Sequence, residues 1–429
     1  MPPAIVDILK RLHTSQFQQG VIWNMVSLAM LGVCGIVMNV LIALFYDVTA
    51  LGVFNQVFAA YILFSQFAAG GIHFSVLRSI AAHSDDLQMC RKIVMGALIP
   101  VIGLAVTFSV LFWIGRHPIG YILDSTAVST GITWAAPGLF FFAVNKVLMG
   151  AINGMSWMKK FAVLQAVRPI AMILALFVAG IAGFPPQCLT VILTVAEVVV
   201  FIASLAVARG LVSWSLVGVG CWIRTHSVFG VSSFAAGVIG ELNTRVDVLM
   251  LGLFASDRIV GVYSFAALLA EGVYQFLIVL QRNYNPRIAR LISEGNTEAL
   301  TSMVRQGKLV TYRVMVAIGV IAVVVYPLAL GLLSARRELL GSWPLFAILI
   351  AGIVLCSGYI PFGGILLQAG RPATNTFLVM AVVCFNATGN ALLIPLLAAQ
   401  GAALATALSF VFHAFLLSYL SRRTVGLVL

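Results

Sequence analysis

The stretch Val238-Ile-Gly-Glu-Leu-Asn-Thr-Arg-Val-Asp-Val-Leu-Met-Leu-Gly-Leu-Phe254 decides what kind of protein this chain is. It reads as a helix that spans lipid, yet it holds three charged residues, Glu241, Arg245 and Asp247. An Arg or Asp at the centre of a membrane helix costs roughly 2.5–3.5 kcal/mol, and each strong apolar residue returns only ~0.3–0.6 kcal/mol. Counting Glu like Asp, three charges cost about 8–10 kcal/mol against a return of about 5 kcal/mol. Such a helix does not sit alone in lipid; it needs partner helices or water along one side. At 100° per residue Glu241 and Arg245 lie about 40° apart and can pair, whereas Asp247 lies about 160° from Arg245. The expectation is that the Glu241–Arg245 face lines a central cavity while Asp247 meets a partner inside its own half.

Composition places this stretch in a polytopic membrane protein. Apolar residues make up 62% of the 429 residues and charged residues 9%, with a mean hydropathy of +1.08. Soluble domains do not keep so few charges. Twelve apolar stretches are long enough to span: 21–46, 52–77, 93–115, 130–153, 161–183, 188–208, 227–254, 260–281, 309–333, 343–367, 375–397 and 401–420. Of the 25 Lys and Arg residues, nineteen, Arg168 among them, are assigned to the face that holds the N-terminus. Arg116, Arg258, Arg336 and Arg337 fall on the other face, and Lys146 and Arg245 lie inside spans. By the positive-inside rule both termini are cytoplasmic. The net charge of +12 then reports topology and anionic lipid rather than a nucleic-acid partner.

No cleavable signal peptide is read in the first twenty residues. Residues 3–12 suit a short amphipathic surface helix. The six cysteines form no CxxC pair and read as packing residues, and no metal or cofactor site is expected. The polar stretch 282–308 reads as a connector with one or two short surface helices. Pro137, Pro327, Pro361 and Pro395 interrupt spans and allow kinks. The chain divides into an N-terminal lobe at 1–208, a cytoplasmic linker at 209–226 and a C-terminal lobe at 227–429. A shift of 209 residues supports the division: Gly52-Val53 falls on Gly261-Val262, Gln66 on Gln275, Phe67 on Phe276 and Arg78 on Arg287. Parallel repeats of this kind place a transport route between the halves.

Several segments resemble those of a known family. Asp247-Val-Leu-Met-Leu-Gly252 followed by Asp257-Arg-Ile-Val-Gly-Val-Tyr263 is similar to the seventh-to-eighth helix signature of the polysaccharide flippases. Pro286-Arg-Ile-Ala-Arg290 resembles that family's basic exit from helix eight, and Gly364-Ile-Leu-Leu-Gln-Ala-Gly-Arg-Pro372 its exit from helix ten. Asp47-Val-Thr-Ala-Leu-Gly-Val-Phe54 resembles the matching turn in the first half. The wider superfamily also holds the lipid II flippases and the multidrug and toxin extrusion antiporters. The resemblance implies an all-α protein of about twelve transmembrane helices in two pseudo-symmetric six-helix lobes. It also implies translocation of polyprenyl-pyrophosphate-linked oligosaccharide across a bacterial inner membrane, alongside other polysaccharide-assembly proteins, with proton or sodium as the candidate coupling ion.

That function has physical requirements. A pyrophosphate must cross about 30 Å of hydrocarbon, and Arg binds phosphate through its bidentate fork. The candidate substrate-binding residues are Arg245, Glu241 and Lys146 inside the spans, with Arg78, Arg287, His73 and Arg282 as a basic vestibule. The in-span acids Glu197, Glu241, Asp247 and Glu271 outnumber Lys146 and Arg245, so one or two are expected to be protonated. Glu271, Asp247 and Glu197 are the ion-coupling candidates, with Glu271 foremost; the alternative for Glu271 is a neutral carboxyl satisfied by Gln275. The rival function is a multidrug or small-cation antiporter of the same superfamily, which favours an acidic cavity. A membrane polymerase or ligase needs a sizeable non-cytoplasmic loop, and the largest such gap, near 334–342, is short. The chain is therefore expected to be a carrier and not an enzyme.

Overall fold

A computed structural model describes residues 16–213, 215, 217–333 and 337–427, with side chains described from Met30 onward except at 236, 243, 332, 333, 337 and 338. The surface helix expected at 3–12 lies outside the described residues. The described chain is helical throughout. Its long helices are α1 Gln16–Phe45, α2a Val48–Ala69, α2b Ile72–Ala82, α3 Leu87–Ile114, α4 Thr126–Gly154, α5 Met158–Ile181, α6 Val191–Ala208 and α7 Gly220–Phe254. They continue as α8 Asp257–Ser293, α9 Thr297–Leu333, α10a Trp343–Cys356, α11 Pro372–Leu397 and α12 Ala399–Val425. Ten helices among the described residues are long and apolar enough to cross a membrane.

The turns have local causes. Asp47 caps α2a by accepting from the Ala50 amide at 2.6 Å, and Asp86 and Ser125 cap α3 and α4 in the same way. Each satisfies a backbone donor that the first helical turn leaves open. Two expected spans are broken instead of continuous. The second stops at Gly70 and Gly71, both left-handed at φ 53° and 68°, a conformation that only glycine adopts at little cost. The tenth stops at Cys356, passes through a 3-10 turn at Ile360–Phe362 containing Pro361, and resumes as the single turn α10b Ile365–Gln368.

The connector at 282–308 differs from expectation too. It holds no separate surface helices: α8 and α9 each run 37 residues and meet at a tight turn through Gly295. Each is about 55 Å long at 1.5 Å per residue, well beyond the hydrocarbon thickness. The segment 209–226 is likewise only partly a linker, because α7 begins at Gly220. Cys221 and Cys384 are exposed, so not every cysteine is a packing residue.

Packing follows the repeat. In the first half α1 packs on α5, α2a on α4, α3 on α4, and α6 on α4 and α5; in the second half α7 packs on α11, α8 and α9 on α10a, and α12 on α10a and α11. The same pairings recur one half later, which is the pseudo-symmetry of two lobes. Two elements cross between them. Helix α8 packs along α2a, and the first turns of α7 dock on α2b and α3. His226 of α7 is fully buried there; its Nε2–H donates to the Ile93 carbonyl at 3.1 Å and its Nδ1 accepts from the Ser75 hydroxyl at 2.8 Å.

Candidate functional site

The polar residues inside the helices sort into three groups by what they touch. The first lies between the lobes. Gln66 of α2a donates through Nε2 to Glu241 Oε1 of α7 at 3.3 Å. The Arg245 guanidinium sits 5.3 Å from the centre of the Phe58 ring on α2a, and its Nε is buried with no acceptor. Lys146 of α4 holds its ammonium 5.0 Å from the Phe142 ring, within electrostatic reach of Glu241. His73, two residues past the α2 break, lies within reach of Lys146 and has a buried Nδ1 without a partner. The expected Glu241–Arg245 pair does not form among the described residues. Helical spacing permits it, but both side chains leave α7 for α2a, where an amide takes the acid and a ring face takes the cation. A cation over an aromatic ring gains ~0.5–2 kcal/mol and keeps its N–H groups free.

The second group is satisfied within a single lobe. Glu197 of α6 is buried, paired with Arg168 Nε at 2.5 Å and accepting from Asn145 Nδ2 at 2.9 Å. Arg168, expected on the basic face, stands instead in the third turn of α5, so the in-span bases are Lys146, Arg168 and Arg245. The excess of acids shrinks accordingly, and Glu197 is committed to a structural pair. In the other lobe Asp247 accepts from the Tyr263 hydroxyl on α8 and from the Val248 amide. Tyr263 lies 3.4 Å from Thr406 Oγ1 on α12, which accepts from Asn386 Nδ2 of α11. Asp247 thus meets its partner inside its own lobe, on the face of α7 turned away from Arg245.

The third group closes the end of the bundle where α1–α2a and α7–α8 turn. Gln56 Nε2 and Ser125 Oγ both donate to the Asp257 carboxylate, each at 2.7 Å. Beside them the repeat-related glycines meet: a Cβ on Gly52 would lie 1.7 Å from the Asp257 carbonyl oxygen, and one on Gly261 2.0 Å from that of Val48. The crossing is possible only because both residues lack a Cβ. The sequence marks this pair through the repeat, but not the Gln56–Asp257–Ser125 latch, whose members lie far apart along the chain.

The vestibule residues are not one patch. Arg78 is exposed, with its guanidinium 5.8 Å from the Phe229 ring of α7. Arg282 and Arg287 are exposed on α8, about 140° apart around the helix. Glu271 is half-buried on α8 and has no hydrogen bond to Gln275 among the described residues. No cluster of metal-ligating side chains occurs among the described residues.

Comparisons with known proteins agree with this architecture. The structure is similar to an inward-facing multidrug resistance MATE-family transporter of the MOP superfamily, with a TM-score of 0.77 at 12% identity over 92% of this chain and 94% of that one. It is also similar to the lipid II flippase MurJ in an inward closed conformation, with a TM-score of 0.72 at 13% identity over 95% and 87% of the two chains. A MOP-superfamily transporter from Pyrococcus furiosus, described as having a binding pocket of reversed polarity, gives 0.64 at 12% identity over 94% of both chains. No curated protein sequence matches. At such identities the structures establish the fold alone. The sequence itself matches the family model described as polysaccharide biosynthesis protein over residues 17–292. With well over half of its length matched, the chain belongs to the polysaccharide biosynthesis protein family and carries it on the two-lobed fold of the MOP-superfamily transporters.

Proposed function

We propose that this protein flips a polyprenyl-pyrophosphate-linked oligosaccharide across the bacterial cytoplasmic membrane by alternating access, with the basic face and both termini in the cytoplasm. The observation that carries this reading is the pair Lys146 and Arg245. One cation comes from each lobe, and each lies by an aromatic ring with no ion pair within 4.0 Å among the described residues. Two uncommitted cations inside a membrane protein are costly unless they have an anionic ligand to meet, and a pyrophosphate bound by both would link the lobes. His73 and Gln66 stand beside them, while Arg78 and Arg282 would meet the substrate towards the basic face, with Arg287 on another side of α8. Closure at Gly52, Gly261 and Asp257 leaves the site to be reached from that face. A cation antiporter fits less well, because Glu197 is neutralised by Arg168. The Asp247–Tyr263–Thr406 set around the buried Tyr263 becomes the first candidate for ion coupling under this reading, and Glu271, foremost on sequence, becomes the second.

The test is export of surface glycan in cells lacking the wild-type chain. Arg245→Ala and Lys146→Ala should each lower export at least tenfold with membrane abundance unchanged, and neither should alter binding of a cationic dye. A fall in abundance parallel to the fall in export would make the two cations structural and sink the reading.

A further inference from the structure

Helix α8 carries a second set of polar side chains, of which the flippase reading uses only Arg282 on the approach and Glu271 as the second coupling candidate. Taking Gly261 as the reference, at 100° per residue, Ser264, Glu271, Gln275 and Arg282 all lie about 40–80° to one side of it. They form a single stripe, running from just below the glycine crossing to the basic face, about 27 Å along the helix axis. The buried core of the C-terminal lobe takes the opposite side, through Ala266, Ala270 and Leu277. Exposure changes along the stripe. Ser264 is buried where α8 packs on α2a, Glu271 is half-buried, and Gln275 and Arg282 are exposed, as is Gly272 beside them. The stripe is therefore covered at the end where the bundle closes and uncovered towards the other.

None of the four side chains has a hydrogen bond or ion pair among the described residues, and the Ser264 hydroxyl is buried without a partner. The repeat sharpens the point. Gln66, the counterpart of Gln275, is committed to Glu241, whereas Gln275 is committed to nothing. Uncommitted polar groups at this depth are costly in lipid and mark a ligand path or water. The chemistry of the set narrows the ligand. A carboxylate at its centre disfavours a polyanion, so the pyrophosphate does not bind here. A hydroxyl, a carboxylate and an amide together accept from and donate to neutral hydroxyl groups, and the length suits several sugar rings in line.

We propose that Ser264, Glu271 and Gln275 form the subsite for the neutral hydroxyls of the glycan, with Arg282 at its mouth, while Lys146 and Arg245 hold the pyrophosphate. This rests on the flippase reading and assigns the two ends of the substrate to different helices. The experiment measures binding to the purified full chain in nanodiscs, with two probes: polyprenyl pyrophosphate bearing a neutral tetrasaccharide, and bare polyprenyl pyrophosphate. Gln275→Leu and Glu271→Gln should each weaken binding of the tetrasaccharide lipid by about five- to tenfold, the loss expected for one or two hydrogen bonds. Binding of the bare lipid should not change. Lys146→Ala should weaken both probes alike. If the Gln275 and Glu271 variants change neither probe, or weaken both equally, the stripe is not a glycan subsite even though the flippase reading stands. If the unaltered chain binds neither lipid, the flippase reading itself falls and the subsite with it.

Discussion

Substituting Gly261 with alanine tests whether the crossing of α2a and α8 is a gate. The new Cβ would stand 2.0 Å from the Val48 carbonyl oxygen, where ordinary contact begins at 3.4 Å. The helices must part there by about 1.4 Å or shift along each other. Overpacking of this size costs about 1–3 kcal/mol. The cost falls on the closed arrangement alone, because an open one separates the helices. At 1.4 kcal/mol per tenfold, the closed-to-open ratio should fall roughly five- to 150-fold. Hydrogen exchange of the protein in nanodiscs measures this directly. Peptides spanning 48–60 and 257–266 should exchange faster in Gly261→Ala, while α4, α6 and α12 stay protected. Gly52→Ala, whose Cβ would meet the Asp257 carbonyl oxygen at 1.7 Å, should act in the same direction and at least as strongly. Unchanged exchange in both peptides would show that the crossing is not tight in the membrane. Faster exchange everywhere would show that it holds the whole fold and not a gate.

Other residues make separate predictions. Asp257→Ala removes the acceptor shared by Gln56 and Ser125, a loss of about 1–3 kcal/mol from the closed end. Exchange of the same two peptides should rise, and no rise would make the latch incidental. Arg168→Ala leaves the buried Glu197 without its cation and should destabilise the chain by about 3–5 kcal/mol, read as loss of folded protein in a thermal melt. The double variant Arg168→Met with Glu197→Leu should recover most of that loss, and a double variant as unstable as the single one would give the pair a role beyond mutual neutralisation.

Much of the fold was legible because two of the segments that resemble the flippase family have local physical tasks. In Asp247–Tyr263 the aspartate and the tyrosine bond each other, Gly252 lies against the Gln56 side chain, Asp257 forms the latch and Gly261 makes the crossing. In Asp47–Phe54 the aspartate caps α2a and Gly52 meets α8. Helix number and lobe symmetry follow from hydropathy and repeat, which are properties of the chain taken in windows. The site was harder to read. Arg168 could not be placed, because the register of a helix end is uncertain by a turn and its partner Glu197 lies 29 residues away. The Glu241–Arg245 pair was expected from spacing on one helix, yet the side chains are claimed by α2a, which spacing on α7 cannot reveal. The break at Gly70-Gly71 was hidden because the residues on both sides are as apolar as a continuous span.

The two lobes share a backbone plan and divide the chemistry. On the axis between them the repeat is kept where it must be: Gly52 and Gly261 face each other, and any side chain on either would hold that end apart. Away from the axis the halves diverge. In the first lobe Glu197 is neutralised by Arg168, while Lys146 lies by the Phe142 ring with no ion pair among the described residues. In the second lobe Asp247 is bonded to Tyr263, while Glu271 and Gln275 make no hydrogen bond among the described residues. A symmetric carrier would present the same groups to both ends of its cargo. One that handles a molecule with a charged end and a hydroxylated end gains from unlike walls, and the uneven commitment of Gln66 and Gln275 is where that difference is written into a residue the repeat left identical.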